Sequence, residues 1–269
     1  MASASTTVTS TTPATTTTSA IVSPTTTGPI ETTTSTLPPR SVATADDPMK
    51  LWIIGDSLVK LFGPELANLT FDTGVVQPEV YFRVVSGLVR PDYFDWPALI
   101  RQRMPELAPD VVVVLFGGND DQTITRDGVG IEEHTPQWTE AYRDLVGAAM
   151  DLLLDEGATH VYWVGLAIMR DREVNRSVID MNSAYAAEAA ERPAVTFVPA
   201  YDLFTDESGG YTSYLRDYEG ELRRMRSGDG AHFEPAGAYR LALQVLRYIA
   251  VDWDLGVDVG PVVTCPPSC

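Results

Sequence analysis

The chain has 269 residues, 44% of them hydrophobic, and a formal net charge of −18. Nearly all of that charge lies beyond residue 47, because residues 1–47 carry only Glu31, Asp46 and Asp47 against Arg40. A folded region this acidic repels phosphate backbones and anionic lipid, which argues against nucleic acid and membrane surfaces as partners.

Residues 1–47 hold 17 Thr, 7 Ser and 5 Pro and no aromatic residue. So little apolar surface cannot offset the entropy of ordering a chain, and a disordered tail is expected. The composition suits an extended stalk, with or without O-glycosylation, and equally a plain linker. No run of about 18 apolar residues occurs, and no basic stretch followed by an apolar one opens the chain, so neither a spanning helix nor a signal peptide is expected in it. A leader or anchor removed ahead of such a stalk would place the protein outside the cytoplasm, secreted or tethered at the cell envelope.

From residue 48 to 256 short apolar runs alternate with segments of helical period, the pattern of one folded domain. LWII (51–54), VYFRVV (80–85), DVVVVLF (110–116), HVYWVGL (160–166) and VTFVPA (195–200) read as strands. Several are apolar without alternation, as strands buried on both faces of a parallel sheet require. Helices are expected over 58–67, 96–107, 138–156, 176–191 and from Pro235 to Val251. In the third, Tyr142, Leu145, Val146, Ala149, Leu152 and Leu153 form one apolar face, and Pro235 suits the first turn of the last. Five βα repeats give an α/β, three-layer αβα domain around a five-stranded, flavodoxin-like parallel sheet. Residues 210–227 break the rhythm around Glu219-Gly220 and read as a hairpin. Residues 257–269 form a tail ending in CPPSC, where Cys265 and Cys269 either close a small disulfide loop or stay free. Two thiols cannot make a four-ligand zinc site, and no metal or organic cofactor is expected.

Open α/β sheets keep their chemistry beyond the C-terminal strand ends. The first strand is followed by GDS with Ser57, the second by SGL with Gly87, the third by GGND with Asn119, and DGAHF with Asp229 and His232 precedes the last helix. A serine hydroxyl needs a base within hydrogen-bond reach, and His232 is the best candidate among three histidines. His134, in the polar loop IEEHTPQ, and His160, opening a strand, read as structural or exposed. Asp229 can orient the imidazole, while the N–H groups of Ser57 and Gly87 and the amide of Asn119 supply oxyanion donors.

Taken singly, each residue has a plainer reading. Ser57 caps a helix and Asp56 makes its turn, Gly87 packs closely, Asn119 and Asp120 close a strand, and the Asp229–His232 loop caps the last helix. Four such accidents at one sheet edge are improbable, and a helix start at Ser57 would itself aim its N–H at developing charge. Tyr93, Phe94 and Trp96 flank the second block; Tyr93 and Trp96 are candidate substrate contacts, against the plainer reading of Trp96 as core. Arg83, Arg90 and Arg170 are open candidates for an anionic substrate group.

Ser57 in IIGDSLV, Gly87 in VVSGLVR, Asn119 in FGGNDDQ and Asp229 with His232 in DGAHF make the sequence resemble the SGNH (GDSL-type) hydrolase superfamily over residues 50–252. SGLVRPDYFDWP (86–97) and WVGLAIMR (163–170) further resemble its bacterial DUF459 branch, related to extracytoplasmic SGNH domains that accompany membrane O-acyltransferases. In that branch a proline often stands where this chain has Ala167, a departure outside the catalytic blocks. The resemblance implies the SGNH hydrolase fold and a serine esterase acting on a short acyl ester, acetyl above all, carried by a small molecule or an acylated glycan of the cell envelope. An O-acyltransferase with the same triad, and a non-catalytic envelope-binding domain, are the alternatives.

Overall fold

Five apolar runs cross the core side by side, each paired in parallel with its neighbours. A computed structural model describes residues 41–263; most of the expected Thr-rich tail, and Cys265 with Cys269, lie outside the described residues. The strands are β1 (Met49–Gly55), β2 (Val76–Phe82), β3 (Val111–Leu115), β4 (His160–Val164) and β5 (Val195–Val198), in the order β2-β1-β3-β4-β5. The chain leaves β1 outward to β2 and then crosses back to β3, so the strand order reverses between β1 and β3. A crevice for ligands opens at such a reversal, beyond the carboxyl ends of the strands. In β3, VVVVL is buried at every position, as a central parallel strand covered on both faces demands.

Helix α1 (Val59–Phe71) packs on α5 (Pro235–Asp252), and α3 (Pro136–Asp155) packs on both α2 (Trp96–Leu107) and α4 (Arg172–Ala190). Two helical layers thus enclose the sheet, as expected from the sequence. Side chains start the helices that frame the site: Asp95 accepts from Ala98 N–H ahead of α2, Thr135 from Trp138 N–H ahead of α3, and Asp171 from Glu173 and Val174 N–H ahead of α4.

Three local features differ from expectation. β2 begins four residues earlier than the run VYFRVV suggests and tolerates Pro78 because it is an edge strand. Residues 83–85 turn out of the sheet instead: Arg83 N–H donates to the Gly55 carbonyl at 3.0 Å, and Val85 takes a φ of 63°. That backbone conformation costs a β-branched residue about 1–3 kcal/mol and is held by its surroundings. The expected hairpin forms between 214–216 and 222–224, while a second, unexpected one pairs 124–126 with 129–131. Its turn, Asp127-Gly128, has positive φ at both residues, the type I′ geometry that Asp-Gly favours.

Residues on both sides of 48–256 also make contacts with it. Ser41–Val42 pairs in parallel with Trp253–Asp254, and the Gln244 side chain exchanges two hydrogen bonds with Val263, at 2.8 and 3.1 Å. No helix among the described residues is long and apolar enough to cross a membrane.

Candidate active site

β1 ends in Gly55, where a Cβ would overlap the Leu115 carbonyl of β3. That close approach lets Asp56 N–H donate to Leu115 O at 3.2 Å and throws Ser57 out beyond the sheet, half-buried. Helix α1 starts only at Val59, and its N-cap position is Leu58, so Ser57 does not cap the helix. Asp56 holds this turn: one carboxylate oxygen accepts from Leu58 N–H at 2.8 Å, the other from Gly118 N–H at 2.7 Å. The Ser57 hydroxyl is left for another partner.

That partner is His232. Its Nε2 lies 2.8 Å from Ser57 Oγ, and its Nδ1 lies 2.7 Å from Asp229 Oδ2. The other Asp229 oxygen accepts from Ala231 N–H at 2.8 Å and His232 N–H at 3.0 Å. Partial burial works against the ionised carboxylate, but these N–H groups and the imidazole outweigh it and hold Asp229 at about 2. With an ionised carboxylate on one side, Nδ1–H donates to Asp229 and the Nε2 lone pair accepts from Ser57 O–H. Asp229 and His232 do not cap α5, whose N-cap position is Glu234.

The second and third blocks interlock. Asn119 Nδ2 donates to the Ser86 carbonyl at 2.9 Å, and among the described residues its second amide hydrogen has no acceptor. Among the described residues, the N–H groups of Ser57 and Gly87 donate to no acceptor. Asp120 is more than the strand-closing turn residue expected of it. It is fully buried, accepts from Val89 N–H at 3.1 Å and Tyr142 O–H at 2.9 Å, and occupies the space a Cβ on Gly87 would need. Gly87 is therefore a glycine because a carboxylate sits against it. Burial raises both inner carboxyls: Asp56 to about 7, despite its N–H donors, and Asp120 above the usual carboxylate range.

Trp96 is not a substrate contact. It is 1% exposed, packs edge-on against Phe116 with ring centres 4.7 Å apart, and donates its indole N–H to Ser86 Oγ at 3.0 Å. Its place is behind the Ser86–Gly87 turn, which it braces. Tyr93 is 46% exposed on the loop after Gly87, with the Arg83 guanidinium 5.9 Å from its ring centre. Arg90 is bound to Asp92 through two 2.7 Å bonds, and Arg170 donates to the Gly228 carbonyl at 2.9 Å. His134 lies 3.2 Å from Ser177 Oγ and His160 2.8 Å from Thr196 Oγ1, so neither serves Ser57. Among the described residues, no three His, Cys, Asp or Glu side chains are grouped to hold a metal ion.

Sequence reasoning missed Asp56, Asp120 and Ser86 as parts of this arrangement. The signal available for them was a polar residue at the end of an apolar run.

Comparison with known proteins agrees with this architecture. The family model described as "Protein of unknown function (DUF459)" matches residues 50–248. A family 3 carbohydrate esterase from Clostridium thermocellum superposes with a TM-score of 0.51 at 13% identity, over 79% of this chain and 100% of that one. A provisionally assigned platelet activating factor from Streptococcus pneumonia gives 0.50 at 20% identity, over 75% and 84%. A provisionally assigned SGNH hydrolase from Slackia heliotrinireducens gives 0.49 at 18% identity, over 73% and 96%. A search of curated proteins returned no match. With the family model spanning most of its length, the chain belongs to the DUF459 family.

Proposed function

We propose that this domain is a serine esterase that cleaves short acyl oxygen esters, acetyl esters of a cell-envelope glycan above all, through an acyl-Ser57 intermediate. The observation that carries the proposal is the unbroken chain from Ser57 Oγ through His232 to Asp229, with bonds of 2.8 and 2.7 Å. Ser57 Oγ attacks the ester carbonyl carbon while His232 Nε2 takes its proton. The carbonyl oxygen becomes an oxyanion that accepts from Ser57 N–H, Gly87 N–H and the second amide hydrogen of Asn119. Removing one such donor typically costs about 3 kcal/mol of transition-state stabilisation. His232 then returns the proton to the departing alcohol, and the same residues activate water to release the acid. The ionised Asp229 stabilises the imidazolium formed in each half-reaction.

The sugar-ester assignment draws on the fold shared with a carbohydrate esterase and on the exposed Tyr93 ring, on the loop that follows Gly87, as a face for stacking on a sugar. Action outside the cytoplasm is our reading of the Thr/Ser/Pro-rich residues 1–47.

The test is covalent. A fluorophosphonate should inactivate p-nitrophenyl acetate hydrolysis, with the adduct mapped to Ser57 by mass spectrometry. Ser57→Ala and His232→Ala should each lower kcat by a factor on the order of a thousand or more. An adduct on another residue, or equal turnover by Ser57→Ala and the parent, refutes the proposal and favours a non-catalytic binding domain. Predominant acyl transfer to an added glycan would make it an acyltransferase instead.

A further inference from the structure

Arg226 occupies the position that elementary electrostatics disfavours most. It is 0% exposed, and among the described residues its guanidinium bonds to no carboxylate. Nη1 donates to the Ile168 carbonyl at 2.7 Å, Nη2 donates to the Ala231 carbonyl at 2.6 Å and lies 3.6 Å from Met169 Sδ, and Nε has no partner among the described residues. Three rings enclose it, with centres 5.1 Å (Phe233), 5.5 Å (Phe204) and 5.9 Å (Tyr211) from the guanidinium carbon. Burial pushes its pKa down to about 10, which still leaves it charged at neutral pH. Burying a cation with no carboxylate bonded to it is expensive even with the Asp229 charge nearby to offset part of the cost, and an apolar residue of similar volume is often the more stable choice. Fold stability alone is a poor reason for an arginine here.

The bonds identify what the charge accomplishes. Ala231 directly precedes His232, while Ile168 and Met169 lie in the segment that leaves β4. Arg170, in that segment, holds two more carbonyls of the same loop: its N–H donates to Gly230 O at 3.2 Å and its Nη2 to Gly228 O at 2.9 Å. Ser227 N–H closes the loop onto His232 O at 2.8 Å. The loop carrying Asp229 and His232 is thus fastened through its backbone to the end of β4, and the guanidinium fork of Arg226 is the bolt. A planar fork can bind two carbonyls in fixed geometry where a point charge cannot.

We propose that Arg226 is a positioning residue: by tying the Ala231 carbonyl to the Ile168 carbonyl it holds the His232 imidazole at Ser57 Oγ. Its kinetic consequence rests on the esterase reading above, whereas the placement of the imidazole can be read without any substrate.

The test compares Arg226→Met, Arg226→Lys and a stability control, Leu241→Ala, in the full chain. Leu241 is 0% exposed in α5 and belongs to no part of the catalytic apparatus. Each variant is followed by thermal melting, by kcat and KM for p-nitrophenyl acetate, and by the downfield proton resonance of the His232–Asp229 hydrogen bond. We expect Arg226→Met to lose that resonance and to lower kcat by about ten- to a hundredfold, the scale of a misplaced catalytic group. KM should change less than about threefold on the same reasoning, because Arg226 has no contact with substrate. Arg226→Lys should fall between Arg226→Met and the parent, and Leu241→Ala should keep resonance and kcat even if it melts as early. The proposal is overturned if Arg226→Met keeps the resonance with kcat near the parent's. It is equally overturned if Leu241→Ala loses both, or if the parent lacks the resonance. Should Arg226→Met fail to fold, a fully parental resonance and kcat in Arg226→Lys overturns it. A parent that shows the resonance but hydrolyses no ester would sink the esterase reading and leave the positioning claim standing on the spectra.

Discussion

Replacing Asp56 with asparagine should make the stability of this protein less sensitive to pH. Burial raises the Asp56 carboxyl to about 7 in the folded chain, against 3.8 for an unperturbed aspartate. Between those values the folded state binds a proton that the unfolded state has released, so stability falls as pH rises. This contribution is fully present below pH 3.8 and gone above about 7. Its size is roughly 4 kcal/mol, from about three pKa units at 1.36 kcal/mol each. Asparagine has no proton to lose, so the stability of Asp56→Asn relative to the parent should climb by about that amount from pH 4 to pH 8. A constant offset runs the other way. Asp56 accepts from both Leu58 and Gly118 N–H, and an asparagine amide can accept from only one of them, at a cost of about 1–3 kcal/mol. Guanidinium unfolding of both proteins at half-unit pH steps separates slope from offset. A difference that stays flat across pH 4–8 would refute the reasoning, since it would mean that Asp56 is ionised throughout.

Two further predictions concern the residues around Ser57. Among the described residues Asp229 is the sole partner of His232 Nδ1, so no backbone carbonyl is in place to orient the ring if it is lost. Asp229→Asn should lower kcat by about a thousand- to ten-thousandfold, as elsewhere when the orienting acid becomes an amide. Because Asp229 is held at about 2, it should add no acid limb to the parent's pH–rate profile above about pH 3, whereas a limb that Asp229→Asn abolished there would contradict this. Trp96→Phe removes the donor to Ser86 Oγ from behind the Gly87 turn. It should cost about 1–3 kcal/mol of stability and lower kcat several-fold with KM unchanged; a rise in KM at constant kcat would return Trp96 to the substrate surface.

What the sequence disclosed, and what it concealed, follows from the range of each interaction. Period and composition are local, and they give the five strands, the five helices and the Gly-Asp-Ser, Gly-Gly-Asn-Asp and Asp-Gly-Ala-His blocks at their ends. The Asp-Gly turn at 127–128 was equally local and legible, but its strands are three residues each and too short to register as periodic. The edge strand was misread because VYFRVV continues to look β-prone past Phe82. Only the bond from Arg83 to Gly55, 28 residues away, shows where the chain turns out. Trp96 presents the same difficulty in side-chain form, since an aromatic beside a glycine block looks alike whether it faces solvent or the core. Arg226 was the least legible. Its partners Ile168 and Ala231 are backbone carbonyls, which leave no mark on residue identity.

Three aspartates at one sheet edge are set to different tasks by their surroundings alone. Asp229, half-exposed and bonded by an imidazole and two N–H groups, stays ionised and can stabilise positive charge on His232. Asp56 and Asp120 lie fully buried beneath the turns that carry Ser57 and Gly87, and burial drives both toward the neutral acid. That difference matters to the oxyanion of the proposed mechanism. On the proposed mechanism, two carboxylates ionised beneath the Ser57 and Gly87 N–H groups would oppose the negative charge those groups receive, in a region too dry to screen it. The Leu58, Gly118 and Val89 N–H groups that these carboxyls accept from fix the turns in place and partly offset the effect of burial. Burial thus lowers the charge that Asp56 and Asp120 carry beneath these turns, whereas Asp229, the one in contact with water, keeps its charge.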